Sequence, residues 1–471
     1  MPRRPRRVRV PKGLLVDMAP LQHSRDFRLL FSGQLVSTLG TQLTAVAVPY
    51  QVFRITHSSL DVGLVSLAQL VPLLVFSMVG GVVADVHDRR RILMATEMLM
   101  AFSSAGLAVN GTLHRPALWP LFVFTAAQGG LAGFDRPTFN AAIPRLVPTS
   151  DLAAAYALWQ VQFQIGIVVG PSLAGLILAG GGAATVYWLD VGTFLVSFAS
   201  VALQRSQPPL EETGGRSAWR SVGEGFSYLR GRQNIQGVYL LDIDAMVFGM
   251  PRALFPALGL DFFHGGAEAV GFLYAAPGAG ALIGALTTGW VNSVRRQGRA
   301  VIIAVVLWGA AIAVFGLIDV LWVGLVLLAL AGWADVVSAV FRNTILQTAI
   351  PDNLRGRLSA IQIAVVQGGP RLGDLEAGAV AEGFGNVFSV VSGGVACVVG
   401  AVALAAVLPG FRKQEAVVSG GGGGAGGGGQ HPGPVAPEGA STRGAAPGEA
   451  APAADPGPPA ADPGPPAVPG P

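Results

Sequence analysis

Long apolar runs and short polar gaps alternate from about residue 27 to residue 408. Crossing the hydrocarbon core of a bilayer takes about 20 mostly apolar residues in a helix. The pattern predicts twelve such helices, at 27–50, 60–84, 92–113, 117–136, 153–178, 185–204, 236–260, 268–293, 300–318, 320–345, 358–382 and 386–408. No alternating polar and apolar segment competes with them. The expected fold class is an all-α polytopic membrane protein, with twelve transmembrane helices in two pseudo-symmetric six-helix halves. The expected organisation is a basic N-terminus at 1–26, a first half at 27–204, a linker at 205–235, a second half at 236–408 and a disordered tail at 409–471. The tail composition explains that last expectation. Glycine fills nearly all of 420–429, and Ala-Asp-Pro-Gly-Pro-Pro-Ala occurs twice, so the segment cannot bury a core.

Composition agrees. Half of the 471 residues are hydrophobic, 12% are charged, and the mean hydropathy is +0.54. The first thirteen residues are polar and basic with no apolar stretch behind them, so no cleavable signal peptide is expected. Basic residues set the orientation. With the N-terminus in the cytoplasm, 27 of the 31 lysines and arginines fall on the cytoplasmic side, Arg54 and Arg115 fall outside, and Arg252 and Arg371 fall within spans. Both termini are expected in the cytoplasm of a cell-membrane protein. Arg3, Arg4, Arg6, Arg7, Arg9 and Lys12 suit anionic lipid, and no nucleic-acid partner is expected. The two lysines, Lys12 and Lys413, sit in no phosphate-binding loop, which excludes an ATPase. The single cysteine and the scattered histidines exclude a disulfide framework and a metal site. No cofactor is expected, and uphill work must draw on an ion gradient or a partner protein.

Two features recur at one offset. Gly81 ends the second span and Gly289 the eighth, 208 residues apart, and Asn-Ala-Ala-Ile-Pro ending at Pro144 returns as Gln-Thr-Ala-Ile-Pro ending at Pro351, 207 apart. Duplicated halves around a midplane site are a transporter architecture. Polar residues within spans locate a candidate substrate cavity. Gln34, Thr38 and Thr41 share a face of the first span; Thr125, Gln128 and Asp135 of the fourth; Asp244, Phe248 and Arg252 of the seventh; Asp335, Ser338 and Arg342 of the tenth. Two readings stand for each stripe: a wet cavity between the halves, or hydrogen bonds between helices without a substrate role. Asp135 and Arg342 lie near span ends, where solvation is a third reading. Span eleven carries the deepest charges. Arg371, Asp374 and Gln367 share a face and Glu376 points elsewhere. Arg371 and Asp374 form either a static pair or, with Glu376, a proton-coupling site whose carboxylate affinity changes as the arginine moves.

Gly81-Val-Val-Ala-Asp85-Val-His-Asp-Arg89-Arg90-Arg91 resembles the signature G-x-x-x-D-R-x-G-R-R of the major facilitator superfamily, with Val86 and Asp88 departing from it. Gly166-Ile-Val-Val-Gly170-Pro171-Ser-Leu-Ala-Gly175 is similar to the antiporter motif of that superfamily's exporters, with Ala174 for one glycine. Phe27–Gln34, Gly271–Ala276, Ala329–Trp333 and Pro351–Arg357 resemble its exporters of siderophores such as enterobactin, and macrolide and multidrug exporters share some of these stretches. The resemblance spans about 17–411. It implies a gate latch at Gly81, Asp85, Arg89 and Arg90, with Asp85 facing the start of span eleven. It implies close packing at Gly166, Gly170, Pro171 and Gly175. The arginine that drug:proton antiporters place three residues before Gln-Gly in span four is here Thr125, so coupling through that position is excluded. The expected function is secondary active export of an amphiphilic, siderophore-like small molecule by a monomer in the lipid bilayer, with a proton gradient as energy source. A multidrug or macrolide pump and a non-transporting sensor are the alternatives. No enzyme activity is expected.

Overall fold

The computed structural model describes residues 17–207, 228–350 and 352–415; the side chains at 82, 85, 292, 352–357, 359, 360 and 363 fall outside that description. The basic leader before residue 17, the tail beyond 415, the middle of the linker and the Asp85 side chain of the latch therefore lie outside the described residues. Eleven long helices and no strand are present among the described residues. They are α1 (Arg25–Thr56), α2 (Ser59–Val86), α3 (Arg89–Thr112), α4 (Trp119–Leu146), α5 (Leu152–Ala202), α6 (Gln233–Phe248), α7 (Gly266–Thr287), α8 (Gln297–Phe315), α9 (Leu321–Ala349), α10 (Asp352–Phe384) and α11 (Asn386–Val407). At ~1.5 Å per residue, the 51 residues of α5 would reach far beyond one bilayer. Gly182 resolves this. Its φ of 71° and ψ of 179° reverse the chain, so limbs 152–181 and 183–202 make separate passes. The described residues thus hold twelve long helical segments, the number of spans that the periodicity predicts, and eight of the helices are long and apolar enough to cross a membrane.

Short polar caps set the starts. Ser24 Oγ accepts from the Phe27 N–H at 3.1 Å, and Ser58 Oγ accepts from the Asp61 N–H at 3.2 Å. His57, at φ 54°, closes α1 in the left-handed conformation. The chain passes alternately between a linker end, which carries residue 17 and the 203–232 connection, and a far end. The far-end connectors are short: 57–58, 113–118, Gly182, 263–265, 316–320 and Gly385.

α1 to α5 form one half, with α1, α3 and the second limb of α5 packed together, and α6 to α11 form the other. The second half runs further than expected. Pro409–Arg412 is helical, and Phe411 is fully buried against Gly237 of α6 and Gly298 of α8. Gly410 N–H donates to Gln233 Oε1 at 2.8 Å, and Asn234 Nδ2 to Gln414 Oε1 at 2.5 Å. The boundary expected at 409 therefore falls inside a packed turn, because an aromatic ring finds two glycines at the linker end.

Candidate functional site

The halves meet through glycines. A Cβ built on Gly63 of α2 would lie 2.5 Å from the Asp374 carbonyl oxygen and 2.9 Å from Leu375 Cα of α10. One built on Gly378 would lie 2.5 Å from the Ser59 carbonyl oxygen. Ser59 Oγ donates to Asn386 Oδ1 at 2.8 Å and Ser58 Oγ to Glu382 Oε2 at 3.1 Å, which ties the far ends together. On the other flank, a Cβ on Gly175 would lie 2.9 Å from both the Ala267 carbonyl oxygen and Gly271 Cα, and Gln164 Nε2 donates to the Gly278 carbonyl at 3.1 Å. Pro171 supplies a carbonyl to the same crossing, 2.6 Å from a Cβ on Gly271. Gly166 and Gly170 face elsewhere, toward Thr38 and Gln42 of α1 in their own half. The glycine motif in α5 is thus a double seam: its first part seats α1 and its second part seats α7. Such small-residue seams bring helix backbones close.

Within the first half, two carboxylates sit in the middle of the helix packing. Glu97 of α3, 1% exposed, accepts from Gln34 Nε2 (3.0 Å), Ser197 Oγ (2.7 Å) and Ser37 Oγ (3.5 Å). Asp190, on the second limb of α5 and fully buried, accepts from Thr44 Oγ1 and Ser104 Oγ, both at 2.7 Å. Gln128 Nε2 donates to the same Ser104 at 2.9 Å, and Asp135 accepts from Thr96 Oγ1 at 3.2 Å. Gln34 and Gln128 are therefore engaged between helices. Thr41 donates back to the Ser37 carbonyl at 3.0 Å, and Thr125 is buried with no hydrogen-bond partner for its hydroxyl. Glu97 and Asp190 stand outside the sequence-derived stripes, although each is a charge within an apolar run, because those stripes lie on the first and fourth helices of each half.

In the second half, Asp242 of α6 pairs with Arg342 Nη1 of α9 at 2.8 Å, and Asp335 lies 3.5 Å from Arg342 Nη2. The sequence-based stripe holds Asp244 and not Asp242. Asp244 points to the opposite neighbour, against Gly400 and the Cys397 thiol of α11. Ser338 is buried and unpartnered beside the ion-paired turn, and Phe248 is partly exposed at the end of α6. There α6 breaks. Trp308 Nε1 donates to the Gly249 carbonyl at 2.7 Å, Pro251 follows, and the chain resumes through a tight turn at Arg252–Leu254 and a wide π turn at Leu258–Phe262. The freed Ala253 N–H donates to Asp374 Oδ1 of α10 at 3.0 Å, and the Arg252 carbonyl accepts from Tyr274 Oη at 2.9 Å. Asp374 also faces Arg252 and, from the other half, Ser66. Arg371 does not close an ion pair with it: Nη1 donates to the Gln367 carbonyl at 2.6 Å and Nε is buried without a partner. Glu376 is half-buried with no side-chain hydrogen bond among the described residues.

The turn after α2 is organised by Asp88, one of the two departures from the signature. Its carboxylate accepts from the Arg90 and Gln207 N–H groups, both at 3.0 Å, and from Ser206 Oγ. Partial burial raises its proton affinity, but these donors and Arg91 outweigh that and hold its pKa below the usual 3.8. Arg90 caps the end of α5, donating to the Val201 (3.3 Å) and Ala202 (2.5 Å) carbonyls. Arg89 is buried and its N–H donates to the Gln207 carbonyl at 3.3 Å. Gly81 faces open space. Arg90 and Asp88 thus fasten the first half to the start of the linker.

Comparison with known proteins is consistent with this architecture. The enterobactin exporters EntS of Citrobacter koseri and of Escherichia coli O139:H28 are each 32% identical over 351 residues, covering 74% of this chain and 84% of theirs. A POT family transporter crystallised with 5-aminolevulinic acid shares the fold at a TM-score of 0.67 and 11% identity, over 83% of this chain and 97% of that one. A bacterial homologue of the iron transporter ferroportin, in an inward-facing state, does so at 0.63 and 15%, over 83% and 99%. Residues 16–419 match the family described as transmembrane secretion effector. The helical bundle, the glycine seams between its halves and these matches place the chain, as a multi-pass membrane transporter and not an enzyme, in the transmembrane secretion effector family of the major facilitator type.

Proposed function

We propose that this protein is a secondary active exporter that moves a siderophore-like small molecule out of the cytoplasm by alternating access, drawing on a proton gradient. The observation that carries the reading is the seam. Two duplicated halves are held at the far end by glycine contacts and two hydroxyl hydrogen bonds, with ionisable groups of α4, α6 and α10 behind that closure. A closure made of small contacts opens at low cost, and alternating states lie within a few kcal/mol of each other. The identity to enterobactin exporters supports a siderophore as cargo and outward movement. Charge asymmetry supports cytoplasmic termini, with the far end facing outward. The working unit is a monomer in the bilayer without a cofactor. Coupling is assigned to Asp374, with Arg371 and Glu376 as the groups that modulate it. Its carboxylate joins α10 to the broken α6 and faces α2, so taking up a proton weakens contacts on three elements at once.

In proteoliposomes with an imposed pH gradient, wild-type protein is expected to accumulate siderophore, and Asp374→Asn is expected to retain only downhill exchange. Uphill accumulation by both Asp374→Asn and Glu376→Gln removes α10 from coupling. A deletion strain whose iron-starved medium holds the usual siderophore content removes the cargo assignment, and a multidrug pump then becomes the better account.

A further inference from the structure

We propose that Arg371 of α10 and Arg136 of α4 form an anion-binding subsite between the halves, so that the transported molecule presents an anionic oxygen group, a carboxylate or phenolate, to them. The inference deepens the export reading and rests on it only for the word transported.

The placement follows from α2, which lies between α4 and α10. Gly129 of α4 packs on Gln69, where a Cβ would lie 2.5 Å from the carbonyl oxygen, and Gly133 packs on Leu73 and Ser77. Gly368 of α10 packs on Leu70 from the other flank, with 3.6 Å from a built Cβ to Leu70 Cδ1. The two crossings are thus at one level of α2. Arg136 lies seven residues past Gly129 and Arg371 three residues past Gly368, both near the α2-facing side of their helices. The helices are antiparallel, so the Cα atoms lie roughly 10 Å to the linker side and about 5 Å to the far side of that level. Side chains lean toward the N-terminus of their own helix. Arg136 therefore leans toward the far end and Arg371 toward the linker end, and the two guanidinia converge. The hydrogen bond from Arg371 Nη1 back to the Gln367 carbonyl, 2.6 Å, shows that lean directly. Arg136, Asp374 and Arg252 are the charged groups close enough to act on Arg371.

Asp374 and Asp135 act on the two arginines through charge alone, without closing an ion pair with either among the described residues. Asp374 accepts from the Ala253 N–H and faces Arg252. Asp135, beside Arg136, accepts from Thr96. Asp242 and Asp335 belong to Arg342. No carboxylate lies within 4.0 Å of either Arg136 or Arg371 among the described residues. Arg371 Nε is buried and unpartnered, and Arg136 makes no described hydrogen bond. Guanidinium donors form a planar fork that suits two oxygens of an acid. Like charges from opposite halves repel, so a bound anion also draws α4 and α10 together, which links occupancy to the relative position of the halves.

Equilibrium binding to the purified full-length protein at low ionic strength tests this, using salicylate and its neutral amide, salicylamide, as probes. Wild type is expected to bind salicylate at least tenfold more tightly than salicylamide. Each of Arg136→Gln and Arg371→Gln is expected to lose about tenfold for salicylate and nothing for salicylamide, as hydrogen bonds to charged groups predict. Crosslinking of Ser59→Cys to Asn386→Cys in the same variants reports whether the far-end closure is intact, which separates a lost ligand contact from a collapsed fold. Equal binding of the two probes, no salicylate binding by wild type, or unchanged binding in the double variant with closure intact overturns the subsite. Failure of gradient-driven export with salicylate selectivity retained overturns the export reading and leaves the subsite.

Discussion

The α5–α7 seam gives the sharpest mechanical prediction. Replacing Gly175 by alanine adds one methyl group between two backbones. The new Cβ would lie 2.9 Å from the Ala267 carbonyl oxygen and from Gly271 Cα, inside ordinary van der Waals contact on two sides. Neither obstacle is a flexible side chain, so the helices must separate by several tenths of an ångström. Overpacking of this kind costs about 1–3 kcal/mol. The cost falls only on the state in which the far end is closed. It therefore shifts the balance toward the opened state by roughly 5- to 150-fold, while the helix itself gains from losing a glycine, by up to ~1 kcal/mol. The readout is crosslinking of Ser59→Cys to Asn386→Cys with a short thiol reagent, which is clean because the native Cys397 is buried. Gly192→Ala is the control, since nothing lies within 4 Å of its added methyl. Closure is expected to fall in Gly175→Ala and to stay at the wild-type level in Gly192→Ala. Equal crosslinking in the two variants would refute the claim that this seam holds the halves together.

Three further outcomes follow from the described contacts. Arg342→Met leaves the buried Asp242 and the partly exposed Asp335 without their cation and is expected to cost about 3–5 kcal/mol, read as a large drop in thermal midpoint; the double change with Asp242→Leu should recover much of it, and no recovery would mean the pair is not the cause. A chain stopped after Glu415 should keep its abundance and its activity, whereas one stopped after Pro409 should lose stability because Phe411 leaves the Gly237–Gly298 slot; equal melting of the two would place Phe411 outside the core. Because the pKa of Asp88 is depressed, its contribution is complete above the ordinary carboxylate value and fades as pH falls through the lowered one, so wild type and Asp88→Asn should differ in stability at pH 7 and converge in strong acid; a gap independent of pH would contradict this.

Hydropathy made the long helices legible, because a bilayer imposes a minimum length on every span. Gly182 shows where this stops. One glycine replaces a loop, and only its backbone angles reveal that a 51-residue helix turns back. Side-chain direction was harder still. Asp242 and Asp244 are two residues apart, about 200° around a helix; one meets Arg342 and the other Gly400, and periodicity alone does not say which neighbour stands where. The partners of Glu97 come from α1 and the second limb of α5, 60 to 100 residues away, and no local pattern announces them. Asp88 departs from the family signature, yet it caps α3 and holds the start of the linker, a role that depends on Ser206 and Gln207 arriving beside it.

The far-end connectors carry a practical consequence. None exceeds six residues, and two are single glycines. Antibodies need a protruding epitope, and proteases need a stretch of chain that can enter their cleft. That face offers neither, so antibodies and proteases applied to it should leave the folded protein unmarked. An inhibitory binder raised against this transporter should therefore be sought among molecules small enough to enter between the helices, because from the far side there is almost no surface to grip.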